Sequence, residues 1–189
     1  MAEGGPVTPV LLLCGPPAVG KSTVGFEVFL RLVRAGTRTA YIDVAQLDFL
    51  RSPKRDPRCP NEAPRQPNHE LREANLRAIW PGLRDVNTRR LVVSGDVRTY
   101  TIPGTTLTVC RLRAGPEQLT ERVLARGRGE GAPIQGDELR GRDTAFLHEF
   151  ARHAVAVAAR LDRDRPADLC VDTDGRTVAE VVESVLAVL

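Results

Sequence analysis

Short apolar runs alternate along the chain with stretches in which apolar residues recur every three or four positions, a pattern that predicts strands and helices in turn. Val7 to Cys14 is an apolar run closed by glycine, after which Val24, Val28 and Leu32 keep helical spacing until Gly36. Thr39 to Ile42 reads as a second strand ending at Asp43, and Asp48 follows inside the apolar patch Leu47 to Leu50. Between 51 and 68 the chain carries five prolines and no periodicity, which predicts a long connection of the functional-loop kind. A helix is expected from near His69, with Leu76, Ile79, Trp80 and Leu83 on its apolar face, Arg72 and Asn75 on a different one, and Pro81 ending or kinking it. Leu91 to Ser94 and Thr106 to Leu112 predict the third and fourth strands.

Gly115-Pro116-Glu117 opens a helix carrying Leu119, Arg122, Val123 and Arg126, with proline where its missing N–H costs little. Residues 127 to 142, rich in Gly and Arg, read as a flap. Thr144 to Leu161 is helical by its Ala and Val content, and Asp168 to Val171 is a fifth strand before the turn Asp172 to Gly175. Thr177 and Glu180 have capping-box spacing at the head of a last helix, whose apolar stripe is Val178, Val181, Val182, Val185, Leu186 and Leu189. Apolar strands separated by helices predict an α/β fold with a parallel sheet covered on both faces.

Composition narrows the class. A chain of 189 residues with 42% hydrophobic content supports one core, so a single domain over 1–189 is expected. The charge of +3 comes from 27 basic and 24 acidic residues spread without a polybasic block or an aromatic-interleaved basic stripe, so no nucleic-acid partner is expected. The N-terminal apolar run has no positive region before it and leads into a glycine loop rather than a cleavage site, and no apolar stretch approaches the ~18 residues of a membrane span. Cys14, Cys110 and Cys170 lie in apolar strand-like runs and Cys59 in the proline-rich stretch, with no CxxC and no paired His; buried thiols in a reducing compartment are expected. A cytoplasmic protein without a membrane partner follows, with no oligomeric state implied.

The motif that carries chemistry is Gly15-Pro16-Pro17-Ala18-Val19-Gly20-Lys21-Ser22, which satisfies GxxxxGK[ST] between a strand and a helix. Glycines let the backbone turn tightly around an anion, lysine reaches the β- and γ-phosphates, and the serine hydroxyl ligates magnesium. Gly15, Pro16, Ala18, Val19, Gly20, Lys21, Ser22 and Thr23 are therefore the expected nucleotide cradle, at a helix N-terminus that favours phosphate. Asp96, after the third strand, is a candidate magnesium ligand or a turn cap, and Asp48 needs a partner if it is buried. All basic residues but Lys21 and Lys54 are arginine, which sets Lys21 apart. The Asn-Lys-x-Asp motif of guanine-specific switches is absent.

The chain resembles the family of small P-loop kinases that includes shikimate, gluconate, adenylylsulfate and chloramphenicol kinases and, more distantly, nucleoside monophosphate kinases. The resemblance covers nearly the whole chain. It is carried by the loop Gly15 to Ser22, the strand end Tyr41-Ile42-Asp43, the run Leu91-Val92-Val93-Ser94-Gly95, Val109 to Leu112 followed by Leu119 to Arg122 and Arg126, and the ending Ala167 to Gly175. It implies a P-loop NTPase three-layer α/β/α sandwich with a five-stranded parallel sheet in the order 2-3-1-4-5, a small lid at about 127–142 and a substrate-side insertion at about 51–68.

The implied activity is transfer of the γ-phosphoryl group of ATP, with magnesium, to a hydroxyl of a small-molecule acceptor, in which catalysis is positioning plus cationic clamping. Arg122, Arg126 and Arg128 stand where the family has base-stacking and lid arginines, with Arg126 the catalytic candidate, and Asp174 and Gly175 where it has its base-contacting loop. Asp43 is the candidate for activating the acceptor hydroxyl or holding magnesium, the alternative being a loop cap. Arg72 and Asn75 fall on the expected substrate-binding helix; a solvated helix face is the alternative. Shikimate kinases carry a second Asp where this chain has Ala45, and Asp48 could supply that carboxylate. Ala45 and the proline-rich stretch motivate a different reading, a nucleotide-binding regulatory module that signals to a partner without any acceptor.

Overall fold

The structure is a computed structural model that describes residues 7–48, 68–95, 100–131, 137–164 and 167–189. Five strands, β1 (Thr8–Cys14), β2 (Thr39–Asp43), β3 (Arg90–Ser94), β4 (Thr105–Arg113) and β5 (Leu169–Asp172), form one sheet in the order β2-β3-β1-β4-β5. Every adjacent pair is parallel. The expected order is thus observed. Helix α1 (Lys21–Arg34) crosses from β1 to β2, α2 (His69–Asp85) from β2 to β3, and α3 (Pro116–Gly127) with α4 (Thr144–Asp164) from β4 to β5, while α5 (Val178–Leu186) follows β5.

Strand alternation divides the core. Leu11 and Leu13 of β1 face α1 and α5, packing with Val24, Val28, Val181, Val182 and Val185. Val10, Leu12 and Cys14 point the other way, to Leu76 and Trp80 of α2. With both faces of β1 covered, the strand reads as an unbroken apolar run rather than an alternating one. A third cluster joins Val123 of α3 to Leu139 and to Phe146, Leu147 and Phe150 of α4.

The helix starts follow local chemistry. Asn68 accepts from the Leu71 N–H to cap α2, and Thr177 with Glu180 makes the expected reciprocal capping box on α5. The Glu180 carboxyl is held below its ordinary pKa by the hydrogen bonds from the Thr177 backbone and hydroxyl.

Four expectations change on contact with the structure. Pro81 does not end its helix, because α2 runs through it to Asp85 and stops where Val86 caps the helix and Asn87 takes a positive φ. Ile79 is 40% exposed, off the buried face, whereas Arg72 is 6% exposed and sits on it. The reason is spacing: Arg72, Leu76 and Trp80 are successive i, i+4 positions and form one stripe. At the C-terminus Val178 and Leu189 are exposed, so the apolar stripe of α5 is buried only over Val181, Val182 and Val185. Cys170 is exposed on the edge strand β5, while Cys14 and Cys110 are buried as expected. Burial pushes the Cys14 and Cys110 thiols up to about 11 and about 12, which leaves them unreactive. Among the described residues no helix is long and apolar enough to cross a membrane.

Candidate active site

The loop between β1 and α1 is built from backbone conformations that its sequence makes available. Gly15 and Gly20 have φ of +147° and +105°, and Ala18 takes a left-handed φ of +63°. A side chain at Gly15 would place its Cβ 2.6 Å from the Leu112 carbonyl oxygen, so β4 passes too close for anything but glycine. Val19 is 1% exposed and anchors the loop in the core on the α1 side. Ala18 packs against the cluster around Val123 and Leu139.

Helix α1 differs from α2 and α5 in what its N-terminus lacks. No side chain caps Gly20, and no acidic residue lies in the first turn. The first N–H groups of α1 therefore point from the loop without a side-chain acceptor, the arrangement that takes a phosphate. Lys21 Nζ donates to the carbonyls of Gly15 (3.1 Å) and Pro16 (2.8 Å), so its ammonium lies against the loop it would serve. The loop glycines, the uncapped turn and the lysine together fit a nucleotide phosphate chain, and the Ser22 hydroxyl beside them fits a magnesium ion.

On the same sheet edge, Asp43 ends β2 and pairs in register with Ser94 of β3, which pairs in turn with Leu13 of β1. Two strand spacings, about 10 Å, separate Asp43 from the strand that feeds the loop. Its Oδ1 accepts from the Ala45 N–H (3.0 Å) and caps the 3-10 turn Val44–Gln46; Oδ2 has no hydrogen bond among the described residues. The capping role thus uses one of the two carboxylate oxygens. Asp96 lies outside the described residues, as do Cys59 and the chain from 49 to 67.

Asp48, Arg72 and Asn75 come together, but with one another's elements rather than around an open space. Asp48, 1% exposed, accepts from Arg72 Nη2 at Oδ1 (3.2 Å) and ion-pairs with Nε at 3.0 Å through Oδ2, which also accepts from the Asn68 N–H at 2.9 Å. Asn75 donates from Nδ2 to the Leu47 carbonyl at 2.6 Å. These bonds lock the turn that follows Asp43 onto the buried stripe of α2.

The arginines of α3 reach in two directions. Arg122 donates to the Val19 carbonyl (3.1 Å) and to the hydroxyl and carbonyl of Thr173 (both 2.9 Å), so it ties the phosphate loop to the segment after β5. In that segment Asp174 Oδ2 accepts from the Gly115 N–H at 2.7 Å, and Gly175 turns with φ +64°. Arg126 makes a two-pronged pair with Asp137, at 2.7 and 3.3 Å. Gly141 donates back to the Gly127 carbonyl and Leu139 is fully buried, so both flanks of the 127–142 stretch are anchored; its residues 132–136 lie outside the described ones. Arg128 pairs with Glu130 in solvent.

This architecture matches solved kinases over almost the whole chain. It is similar to a gluconokinase from Sinorhizobium meliloti 1021, with a TM-score of 0.57 and 20% identity over 97% of this chain and 92% of that one. It is also similar to the APS kinase of Mycobacterium tuberculosis in complex with AMPPNP and APS, with a TM-score of 0.50 and 16% identity over 97% of this chain and 98% of that one. The fold is that of the small P-loop kinases. No family model matches the sequence, and no curated protein matches it. Within the P-loop kinase fold the loop Gly15 to Ser22 stands at the carboxyl end of the parallel strands, where ligands of open α/β sheets bind.

Sequence reasoning names Tyr41 and Ser94 only among the residues that carry the resemblance, gives them no role, and passes over Gly25. A Cβ at Gly25 would fall 2.2 Å from Ser94 Oγ, 3.0 Å from Tyr41 Cε2 and 3.2 Å from Leu13 Cδ1. The only signal was a glycine inside a helical pattern, which generally marks close packing. Gly25→Ala is expected to lower stability by about 1–2 kcal/mol, because the overpacking cost outweighs the gain in helix propensity. A chemical-denaturation midpoint at or above that of the wild type would show that α1 has room to back away from the sheet.

Proposed function

We propose that the protein is a magnesium-dependent ATP kinase that phosphorylates a hydroxyl of a small-molecule acceptor. The observation that carries this reading is the shared sheet edge: an uncapped, acid-free helix N-terminus under a Gly-Lys-Ser loop, with the half-buried carboxylate of Asp43 two strands away. That spacing leaves room for a terminal phosphate and an incoming hydroxyl. The kinase fold of the two solved structures supports the same reaction class.

Magnesium, when bound, would neutralise charge developing on the phosphates, held by the Ser22 hydroxyl and by Asp43 or Asp96. In this reading Lys21 exchanges the Gly15 and Pro16 carbonyls for phosphate oxygens, and the N–H groups of Gly20 to Thr23 complete the cradle. Asp43 accepts the acceptor's proton through Oδ2 while Oδ1 stays on Ala45. Arg126 delivers positive charge to the moving phosphoryl group after leaving Asp137, and Arg122 with Asp174 and Gly175 forms the base side. Residues 127 to 142 act as the lid of a single domain spanning 1–189.

Labelled γ-phosphate transfer across a panel of hydroxylated metabolites and antibiotics tests the activity. With an acceptor in hand, Asp43→Asn is expected to cut turnover by about 100-fold while ATP affinity stays within about twofold. Unchanged turnover would remove Asp43 from the mechanism. Slow hydrolysis with no phosphorylated product from any acceptor would favour the regulatory module instead.

A further inference from the structure

Two hydroxyls from the sheet reach the first turn of α1. Ser94 Oγ, at the end of β3 and fully buried, donates to the Lys21 carbonyl at 2.9 Å. Tyr41 Oη, on the edge strand β2, lies 3.1 Å from Ser94 Oγ and 3.2 Å from the Ser22 carbonyl. The proton count orders the network. Ser94 spends its proton on Lys21, so its oxygen accepts from Tyr41, and the single phenolic proton is shared with the Ser22 carbonyl. Burial pushes the Tyr41 phenol up to about 12, so it remains a donor throughout the working pH range. Gly25 makes the approach possible, since a side chain there would occupy the position of Ser94 Oγ.

We propose that Tyr41 and Ser94 are positioning residues that aim the phosphate-binding first turn of α1 by gripping the carbonyls of Lys21 and Ser22. The peptide unit carries the effect. In a planar trans peptide the C=O and N–H are antiparallel, so fixing the Lys21 carbonyl fixes the N–H of Ser22, and fixing the Ser22 carbonyl fixes the N–H of Thr23. Both N–H groups belong to the orphan donors at the helix N-terminus, and both adjoin the lysine and serine side chains that the phosphates require. The carbonyls have lone pairs to spare for the hydroxyls while accepting their ordinary helical bonds. A nucleotide would therefore meet donors already aimed, and the entropy of orienting them would be spent on folding rather than on binding.

The inference rests on reading the loop as a nucleotide site, and direct binding separates the two. The full chain is titrated with a fluorescent ATP analogue at saturating magnesium, and magnesium is titrated at fixed analogue, well below the melting temperature. Wild type, Ser94→Ala, Tyr41→Phe and the double variant are compared. Ser94→Ala is expected to bind the analogue roughly tenfold more weakly and Tyr41→Phe roughly threefold, as a hydrogen bond of ordinary net strength to an aimed group would give. The magnesium midpoint is expected to move to higher concentration in both. The double variant should bind more weakly than either single one, because Tyr41 also holds the Ser22 carbonyl directly. Tyr41→Phe removes a hydroxyl and leaves the ring packing, so it carries the test if Ser94→Ala folds poorly. Wild-type affinity and an unmoved magnesium midpoint in folded Tyr41→Phe and Ser94→Ala would overturn the positioning role, even if their melting temperatures fall. Failure of the wild type to bind ATP or GTP analogues would overturn the nucleotide reading and this inference together.

Discussion

Lys21→Ala is expected to give a folded protein in which phosphoryl transfer drops by about a thousandfold or more. Losing one preorganised donor at a site of developing charge costs about a hundred- to a thousandfold, and this one carries a full positive charge. The fold should survive. Lys21 is only half-buried, and its bonds to the Gly15 and Pro16 carbonyls stay within its own loop rather than joining separate elements. Those bonds show that the ammonium already lies at the loop, so little rearrangement separates the present position from one on a phosphate. The check is turnover with the best acceptor, beside a thermal melt and ATP-analogue binding. Turnover within tenfold of wild type, with the fold intact, would mean that the lysine is incidental to the chemistry.

How much of this was legible in the sequence depends on where each signal resides. The five strands were readable because buried parallel strands leave apolar runs, the phosphate loop because its spacing encodes a backbone shape, and the strand order only through the family resemblance. Side chains whose roles depend on a partner distant in sequence were not readable. Ser94 looks like the polar end of an apolar run until Lys21, 73 residues earlier, is placed against it. Ala18 gives no hint of its left-handed φ, since glycine is the residue that ordinarily signals that region. The sequence reading sets Arg72 with Asn75 on a face apart from Leu76 and Trp80, although Arg72, Leu76 and Trp80 follow one another at i, i+4 spacing. What turned it inward was Asp48, 24 residues away across a stretch with no periodicity.

That buried pair carries the second large effect. Arg72 is 6% and Asp48 1% exposed, so removing either takes a close counter-charge from a buried group, and Asp48→Ala or Arg72→Leu is expected to cost about 3–5 kcal/mol of stability. Replacing both by apolar residues, as in Asp48→Leu with Arg72→Met, should recover much of that loss, because both buried charges are removed together. Urea unfolding of the two single variants and the double gives the coupling directly. Single-variant losses below about 1 kcal/mol would mean that water reaches the pair. The double variant also separates two roles for these side chains. Asp48 holds the Asn68 N–H as well as Arg72, and Asn75 holds the Leu47 carbonyl, so the segment after Asp43 is fastened to α2 from several points. If the pair serves that fastening, the refolded double variant keeps its KM for the acceptor and loses only part of its turnover, through looser control of Asp43. If Arg72 instead exchanges Asp48 for an anionic group on the acceptor, the double variant retains ATP affinity and its acceptor KM rises by tenfold or more, as loss of a charged contact requires. The several bonds that Asp48 already makes favour the first outcome, because an arginine leaving it would abandon a buried carboxylate in order to reach a substrate.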